Sequence, residues 1–381
     1  MYKNTFLIGG YYLLCGLYVL AMSLQKPTLN WDAVAYVAAA RAMETNQPDE
    51  IHDFAYRQYR KAVESTTAEP SAIPPTDDDK TYRKAMQESA GAFMENVRFY
   101  QIRPAYTGAV FGLYKAGVNP VFATYLISAL SAFLAVGVMF LIARPRMTLP
   151  FLLALPPLAL SFKLRAIASA SSPDSLALLG MMICAYLFIA ERKELLAILP
   201  LLLPIRTDLV LFVVLLQGYL FLFGPYKKRW IAVSLAATVL IHAFLGWHYG
   251  YPGWTSVFYT TFVTHVIHPL SSPPTLTVWQ YVVVFFRGAA QAISSTAFTL
   301  YAVVAILSAC LLFAEKPIGR LVHSKMHVLL VLSAAYIGVH FVLFPAAWER
   351  FFIGAYILSG IAFFSLLSKR LAGDVTAQGT G

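Results

Sequence analysis

Charge is what this chain has least of. Of its 381 residues 13% are charged and 59% hydrophobic, whereas an ordinary globular domain carries about 25% charged residues. With a mean hydropathy of +0.63, this argues against a soluble protein and points to a polytopic membrane protein. Cysteine is also scarce. Cys15, Cys184 and Cys310 all fall in apolar runs, where they read as small hydrophobes, excluding a disulfide-stapled secreted domain and a cysteine-based zinc or iron–sulfur site. The sequence lacks a glycine-rich phosphate loop and any HExxH, GxSxG or CxxC motif, so a soluble nucleotide-using fold is not indicated. No internal repeat is apparent, which weighs against an inverted-repeat transporter.

What charge there is sits unevenly. Residues 26–103 hold 10 basic and 12 acidic residues, while the rest of the chain holds 19 basic and 7 acidic ones. The excess comes in twos and threes between apolar runs, the pattern that marks a cytoplasmic side, and not as the basic face of a nucleic-acid binder. A bilayer core about 30 Å thick needs about 20 apolar helical residues. Candidate spans are 5–23, 119–143, 148–163, 175–190, 195–205, 208–223, 230–248, 291–313, 327–344 and 351–368. Lys3 and Ala21-Met22-Ser23 give the first run some features of a signal peptide, but its length and aromatic content favour an uncleaved span. Placing Lys3, Arg144/Arg146, Arg192/Lys193, Lys227–Arg229, Lys316/Arg320/Lys325 and Lys369/Arg370 in the cytoplasm gives an all-α protein of about ten spans with both termini inside.

The chain divides into a first span (1–23), an external loop (24–103), a transmembrane core (104–248), a second external loop (249–290), C-terminal spans (291–370) and a cytoplasmic tail (371–381). In the large loop, 31–46, 50–64 and 81–99 read as amphipathic helices lying on the membrane, and 65–80 as a flexible insert. Segment 104–117 reads as a short, tilted helix, and 276–287 as a further amphipathic piece.

Ionisable groups at membrane depth need partners or a water-filled cavity. Asp174, Asp208 and Glu349 map to the external side, each with an arginine nearby: Arg165, Arg206 and Arg350. Only 11 residues run from Leu195 to Ile205, roughly 16 Å of helix, and Pro200 and Pro204 interrupt them. Arg206 therefore either snorkels or ends an early-stopping helix that opens a cavity, and its pairing with Asp208 also suits simple helix packing. Several arginines at that depth suit a lipid-borne phosphate, which guanidinium groups grip bidentately. Asp32 follows the first span closely, with Tyr36 one turn later; Asp32 also suits a helix N-cap. Arg103 returns the loop to the same surface. His265 and His268, three apart, lack a carboxylate nearby in sequence and read as loop histidines rather than metal ligands.

The order of Asn30-Trp31-Asp32, Arg103-Pro104, Ser172-Pro173-Asp174, Ile205-Arg206-Thr207-Asp208 and Trp348-Glu349-Arg350-Phe351-Phe352 resembles the GT-C superfamily of integral membrane glycosyltransferases, from the first span to about residue 223 and again near Trp348. The chain departs from familiar members in lacking a C-terminal soluble domain and in having one aspartate where they carry an acidic pair. The resemblance implies a bacterial inner-membrane enzyme that takes a sugar from a polyprenyl-phosphate carrier and transfers it, on the periplasmic face, to a glycan, lipid or protein hydroxyl of the cell envelope. It implies Asp32 as catalytic base. Arg103, Arg165, Arg206 and Arg350 would form the donor-phosphate site, with Arg206 or Arg350 nearest the phosphate, and Tyr36, Asp174, Asp208 and Glu349 would support them. No cofactor and no metal ligand set is expected, with a divalent metal as the alternative. Membrane lipid is the other expected partner. The competing readings are a transporter or flippase of a lipid-linked sugar and a non-enzymatic assembly subunit.

Overall fold

The computed structural model describes residues 2–65, 77–314 and 324–378. Among these the regular structure is helical, with one isolated parallel bridge, Thr28 to Ala170. Five helices are long and apolar enough to cross a membrane: α1 (Tyr2–Gln25), α7 (Pro120–Ala143), α13 (Lys228–His248), α17 (Lys325–Leu343) and the first part of α18 (Glu349–Gln378). The count becomes six if α15 (Val278–Ser294) and α16 (Thr296–Ala314), which meet at an 80° bend, form one broken span. Shorter apolar helices, α8 (Leu149–Ser161), α10 (Asp174–Ile189) and α12 (Val210–Phe223), pack among them. The ten-span expectation is thus not met by full-length helices. Leu240, Phe244 and Trp247 on α13 are exposed apolar side chains, a face that water would penalise and lipid would not.

The run 195–205 is where expectation and structure part most clearly. Helix α11 (Leu195–Ile198) gives way to a 3₁₀ turn at Leu199–Leu202, because Pro200 and Pro204 cannot supply helical N–H donors. The Pro204 carbonyl instead accepts a bond from the Ala105 N–H at 3.0 Å. The backbone is then extended at Arg206, with φ −153° and ψ 120°. The helix stops early, and the arginine turns inward, 3% exposed.

The first loop is helical as its periodicity predicts, in α2 (Asp32–Arg41), α3 (Pro48–Ser65), α4 (Asp77–Glu88) and α5 (Ala90–Gln101). The single helix expected over 81–99 is, however, divided at Ser89, whose extended backbone ends α4 and caps α5. The proposed insert 65–80 lies mostly outside the described residues, but its acidic run Asp77–Asp79 is the first turn of α4, where carboxylates meet the positive end of the helix dipole. The amphipathic reading of 31–46 is corrected: Ala33–Ala40 are all buried. The small side chains of this alanine-rich helix allow α3, α5, α6 (Pro104–Lys115) and α7 to approach it from several sides. Tyr36 packs edge-on against Tyr100 and Tyr106, with ring centroids 5.0 and 4.7 Å away, and Val34, Ile51, Phe93, Val97 and Val121 fill the adjoining core.

The second loop carries α14 (Trp254–Phe262), which the sequence reading lacked, and then a stretch tied to the first loop. Asn96 donates to the Ile267 carbonyl at 2.8 Å, and Glu95 accepts from the Leu270 and Ser271 N–H groups at 2.8 and 3.0 Å. Helix α18 stays helical to Gln378, through most of the proposed tail.

Candidate functional site

The ends of α2, α5, α10, α14 and α18, with the extended residue Arg206, enclose a cavity of about 630 Å³. Asp32, Tyr36, Arg103, Asp174, Arg206 and Arg350 all line it. These residues come from five separate stretches of sequence, and the fold brings them to one wall.

Asp32 is the first residue of α2, and the helix N-cap position is Trp31, which makes no side-chain cap bond. Among the described residues its carboxylate bonds only to side chains. Oδ1 accepts from the Tyr100 hydroxyl at 2.9 Å, and Oδ2 accepts from Asn30 Nδ2 and from Arg350 Nη1, both at 3.1 Å. The capping alternative is therefore not realised. Burial, reinforced by the Asp32 charge, raises the Tyr100 pKa well above the ordinary phenol value, which keeps this hydroxyl a donor. A carboxylate offers about four lone-pair sites; three are occupied, leaving one on Oδ1.

Arg206 is the hub. Nε and Nη2 donate to the two oxygens of Asp208 at 3.0 and 2.6 Å, while Nη1 donates to Asp174 and, at 3.2 Å, to the Arg350 carbonyl. Ser172 Oγ fixes the other Asp174 oxygen at 2.8 Å, and His340 Nε2 lies 3.4 Å from Asp208. Four of the five N–H donors of this guanidinium are thus spent within the protein. Such an arginine holds walls together and has little left for a ligand.

The other two arginines have donors to spare. Arg103 donates to the Tyr36 hydroxyl, and its buried Nε has no partner among the described residues. The cation lies 5.8 Å from the ring centres of both Tyr36 and Tyr100. Arg350 commits one N–H to Asp32 and lies against aromatic faces, 4.8 Å from the Trp348 ring centre and 5.2 Å from that of Phe351. Phe351 is also 4.8 Å from Arg206. Aromatic faces hold guanidinium groups flat and oriented while leaving their edges free to donate.

Three expected members do not line this cavity, and of these Asp208 bears on it only through its bonds to Arg206. Arg165, on α9 (Leu164–Ala168), is not among the residues lining the cavity. Glu349 lines a neighbouring cavity of about 300 Å³, together with Lys163 and Arg350, and accepts from Ser295 Oγ at 3.3 Å. The physical reason is helical geometry: adjacent residues on a helix face different directions, so Glu349 and Arg350 diverge at the start of α18.

Sequence reasoning missed Tyr100, Trp348 and Phe351 as site residues, as well as the acidic rim of Asp78 and Asp79 that lines the same cavity with Tyr82 and His265. His265 Nδ1 lies 2.6 Å from Asp78 and Nε2 3.4 Å from Asp79. Burial alone would raise the Asp78 pKa, but bonds from the His265 ring, the His265 N–H and the Thr264 hydroxyl outweigh it and leave the value lowered. His268 faces a different carboxylate, Glu95, at 3.2 Å. The two histidines therefore have separate carboxylate partners, and no group of metal-ligating side chains occurs among the described residues.

Comparison with known proteins finds no matching family model, no curated relative and no similar solved structure.

Proposed function

We propose that this protein is a membrane glycosyltransferase that takes a sugar from a polyprenyl-phosphate carrier and delivers it to a hydroxyl of a glycan, lipid or protein acceptor on the periplasmic face of a bacterial inner membrane. The observation that carries the reading is the Asp32 carboxylate beside two arginines with free donors, Arg103 and Arg350, on the wall of one cavity.

The chemistry assigns each group one task. The acceptor hydroxyl gives its proton to the open lone pair of Asp32 Oδ1 as its oxygen attacks the anomeric carbon. The anomeric carbon–oxygen bond to phosphate breaks on the opposite face, and its electron pair leaves with the polyprenyl phosphate. Arg103 and Arg350 stabilise that departing charge with preorganised donors. Arg206 serves by holding Asp174, Asp208 and the Arg350 backbone in place, a narrower role than the phosphate ligand its position in the sequence implies.

The direct test is reconstitution in proteoliposomes with a panel of short-chain polyprenyl-phosphate sugars. Release of free polyprenyl phosphate that depends on Asp32 supports the reading. Movement of the lipid-linked sugar across the bilayer with no release would instead make the protein a flippase.

A further inference from the structure

The Asp32–Arg350 contact sets two of the proposed roles against each other. As the base, Asp32 must be free to take a proton. In the structure, Arg350, one of the two site arginines with donors to spare, is bound to it at 3.1 Å. Tyr100 and Asn30 hold the same carboxylate independently of Arg350. Arg350 itself lies between two cavities and against the Trp348 and Phe351 rings. A guanidinium on an aromatic face can slide in its plane at little cost, because the attraction depends on the face and not on one hydrogen-bond direction. Arg103, across the cavity wall, pairs with no carboxylate among the described residues.

We propose that Asp32 and the ligand's phosphate compete for Arg350, so that the ion pair is a lock which the phosphate opens. A phosphate group arriving between Arg103 and Arg350 draws Arg350 off Asp32, and the carboxylate stays at the cavity held by Tyr100 and Asn30. The base is released only when an anion is seated, which guards an empty site against idle proton traffic. The idea deepens the transferase reading and rests on it for the meaning of the release, but the competition itself requires only phosphate chemistry. By linkage, whatever factor the pair takes from phosphate affinity, the phosphate takes from the pair.

The lock makes a prediction of unusual sign. Asp32→Asn removes the competing charge and should tighten phosphate binding, on the order of tenfold for a coupling of typical size, although the same variant loses the base. Calorimetric titration of the full chain in nanodiscs, with farnesyl phosphate in one arm and inorganic phosphate in the other, reads this directly. A gain with both probes assigns the lock to the anion alone, and a gain with farnesyl phosphate only assigns it to a lipid-borne phosphate. Arg350→Gln should weaken binding at least as much in either background, with no further gain from Asp32→Asn. Trp348 fluorescence should change on binding to the parental protein as the guanidinium shifts over the ring, and Trp348→Phe should remove that change. If Asp32→Asn folds poorly, Asp32→Ser must show the same gain. Unchanged or weaker binding in the Asp32 variants, or no Trp348-dependent signal, overturns the lock. Sugar transfer without the gain in affinity sinks the lock alone, whereas the gain without any transfer sinks the transferase reading and leaves the lock standing.

Discussion

Arg206 and Asp208 are joined by two parallel hydrogen bonds, Nε to Oδ1 at 3.0 Å and Nη2 to Oδ2 at 2.6 Å, only two residues apart in the chain. The fork closes because Arg206 is extended and Thr207–Leu209 forms a 3₁₀ turn immediately after it. With Asp174 on its remaining side, the arginine offsets one of the two carboxylate charges gathered there, Asp174 buried and Asp208 partly exposed.

Removing that arginine should therefore damage the fold before it damages chemistry. Breaking a buried pair leaves uncompensated charge and costs about 3–5 kcal/mol. Arg206→Gln should lower the unfolding temperature in detergent markedly, and Arg206→Lys should do so to a lesser degree because it keeps the charge but not the fork. An Arg206→Gln protein with parental thermal stability and only weakened ligand affinity would return this residue to the role of phosphate ligand.

Asp32→Asn should leave the fold intact, since Tyr100 and Asn30 can still bond to the amide, and should lower sugar transfer by about 10²–10⁴-fold, the usual worth of a general base. Single-turnover transfer at saturating donor isolates this effect from affinity. Transfer at the parental rate would move the search for a base to Asp53 in the first loop.

Arg103 offers the cleaner test of phosphate recognition, because it pairs with a phenol and not a carboxylate. Arg103→Lys should keep the charge but lose the planar fork, weakening the affinity for farnesyl phosphate by about tenfold with little change in melting temperature. Equal affinity in the variant would mean that Arg103 only supports Tyr36.

The join between the two loops should respond to acid. Burial opposes ionisation of Glu95, but bonds from the Ser271 N–H and hydroxyl, the Leu270 N–H and His268 outweigh it and lower its pKa; Asp78 is lowered likewise. A carboxylate depressed in the folded state contributes stability that is complete above its unfolded value, about 4, and is lost as pH falls through the lower folded value. These carboxylates should thus hold residues 264–271 in place at pH 5–7, with protection lost well below pH 4. Cross-linking between engineered cysteines on the two loops would follow this, and loss of the join at pH 5 would contradict it.

Gly288 should not tolerate a side chain. A Cβ there would sit 2.1 Å from the Pro345 carbonyl oxygen, and a backbone atom cannot rotate away. Pro345 leads directly into Trp348 and Arg350, so Gly288→Ala should displace that segment and weaken farnesyl phosphate binding even though α15 contributes no residue to the large cavity. Unchanged binding and melting temperature in Gly288→Ala would show that α15 moves instead.

Much of this protein was legible in one dimension. Apolar run lengths located α1, α7, α13, α17 and α18, because burial in lipid is a property of each segment alone. Periodicity found the loop helices, with Pro48 starting α3, but not the division of 81–99 at Ser89, which caps α5 by accepting from the Ala92 N–H. Prolines flagged 195–205 as irregular, the scarcity of charge made Asp174, Arg206 and Arg350 conspicuous, and position beside apolar segments picked out Asp32 and Arg103.

What each charge does was decided only in three dimensions. A sequence shows that Arg206 is near Asp208, but not that Asp174 takes its third side and leaves it spent. It shows Asp32 after a span, but not that Arg350, 318 residues later, donates to its carboxylate. Tyr100 looked like any other aromatic residue among the 14% that are aromatic, and Phe351 stood out only as part of a motif, with no contact to Arg206 or Arg350 implied. The cause is physical: hydrophobic burial is additive along a segment and can be read from composition, whereas a hydrogen-bonding group has a fixed number of donors and acceptors, and which of them remain free depends on every partner the fold brings within about 3 Å.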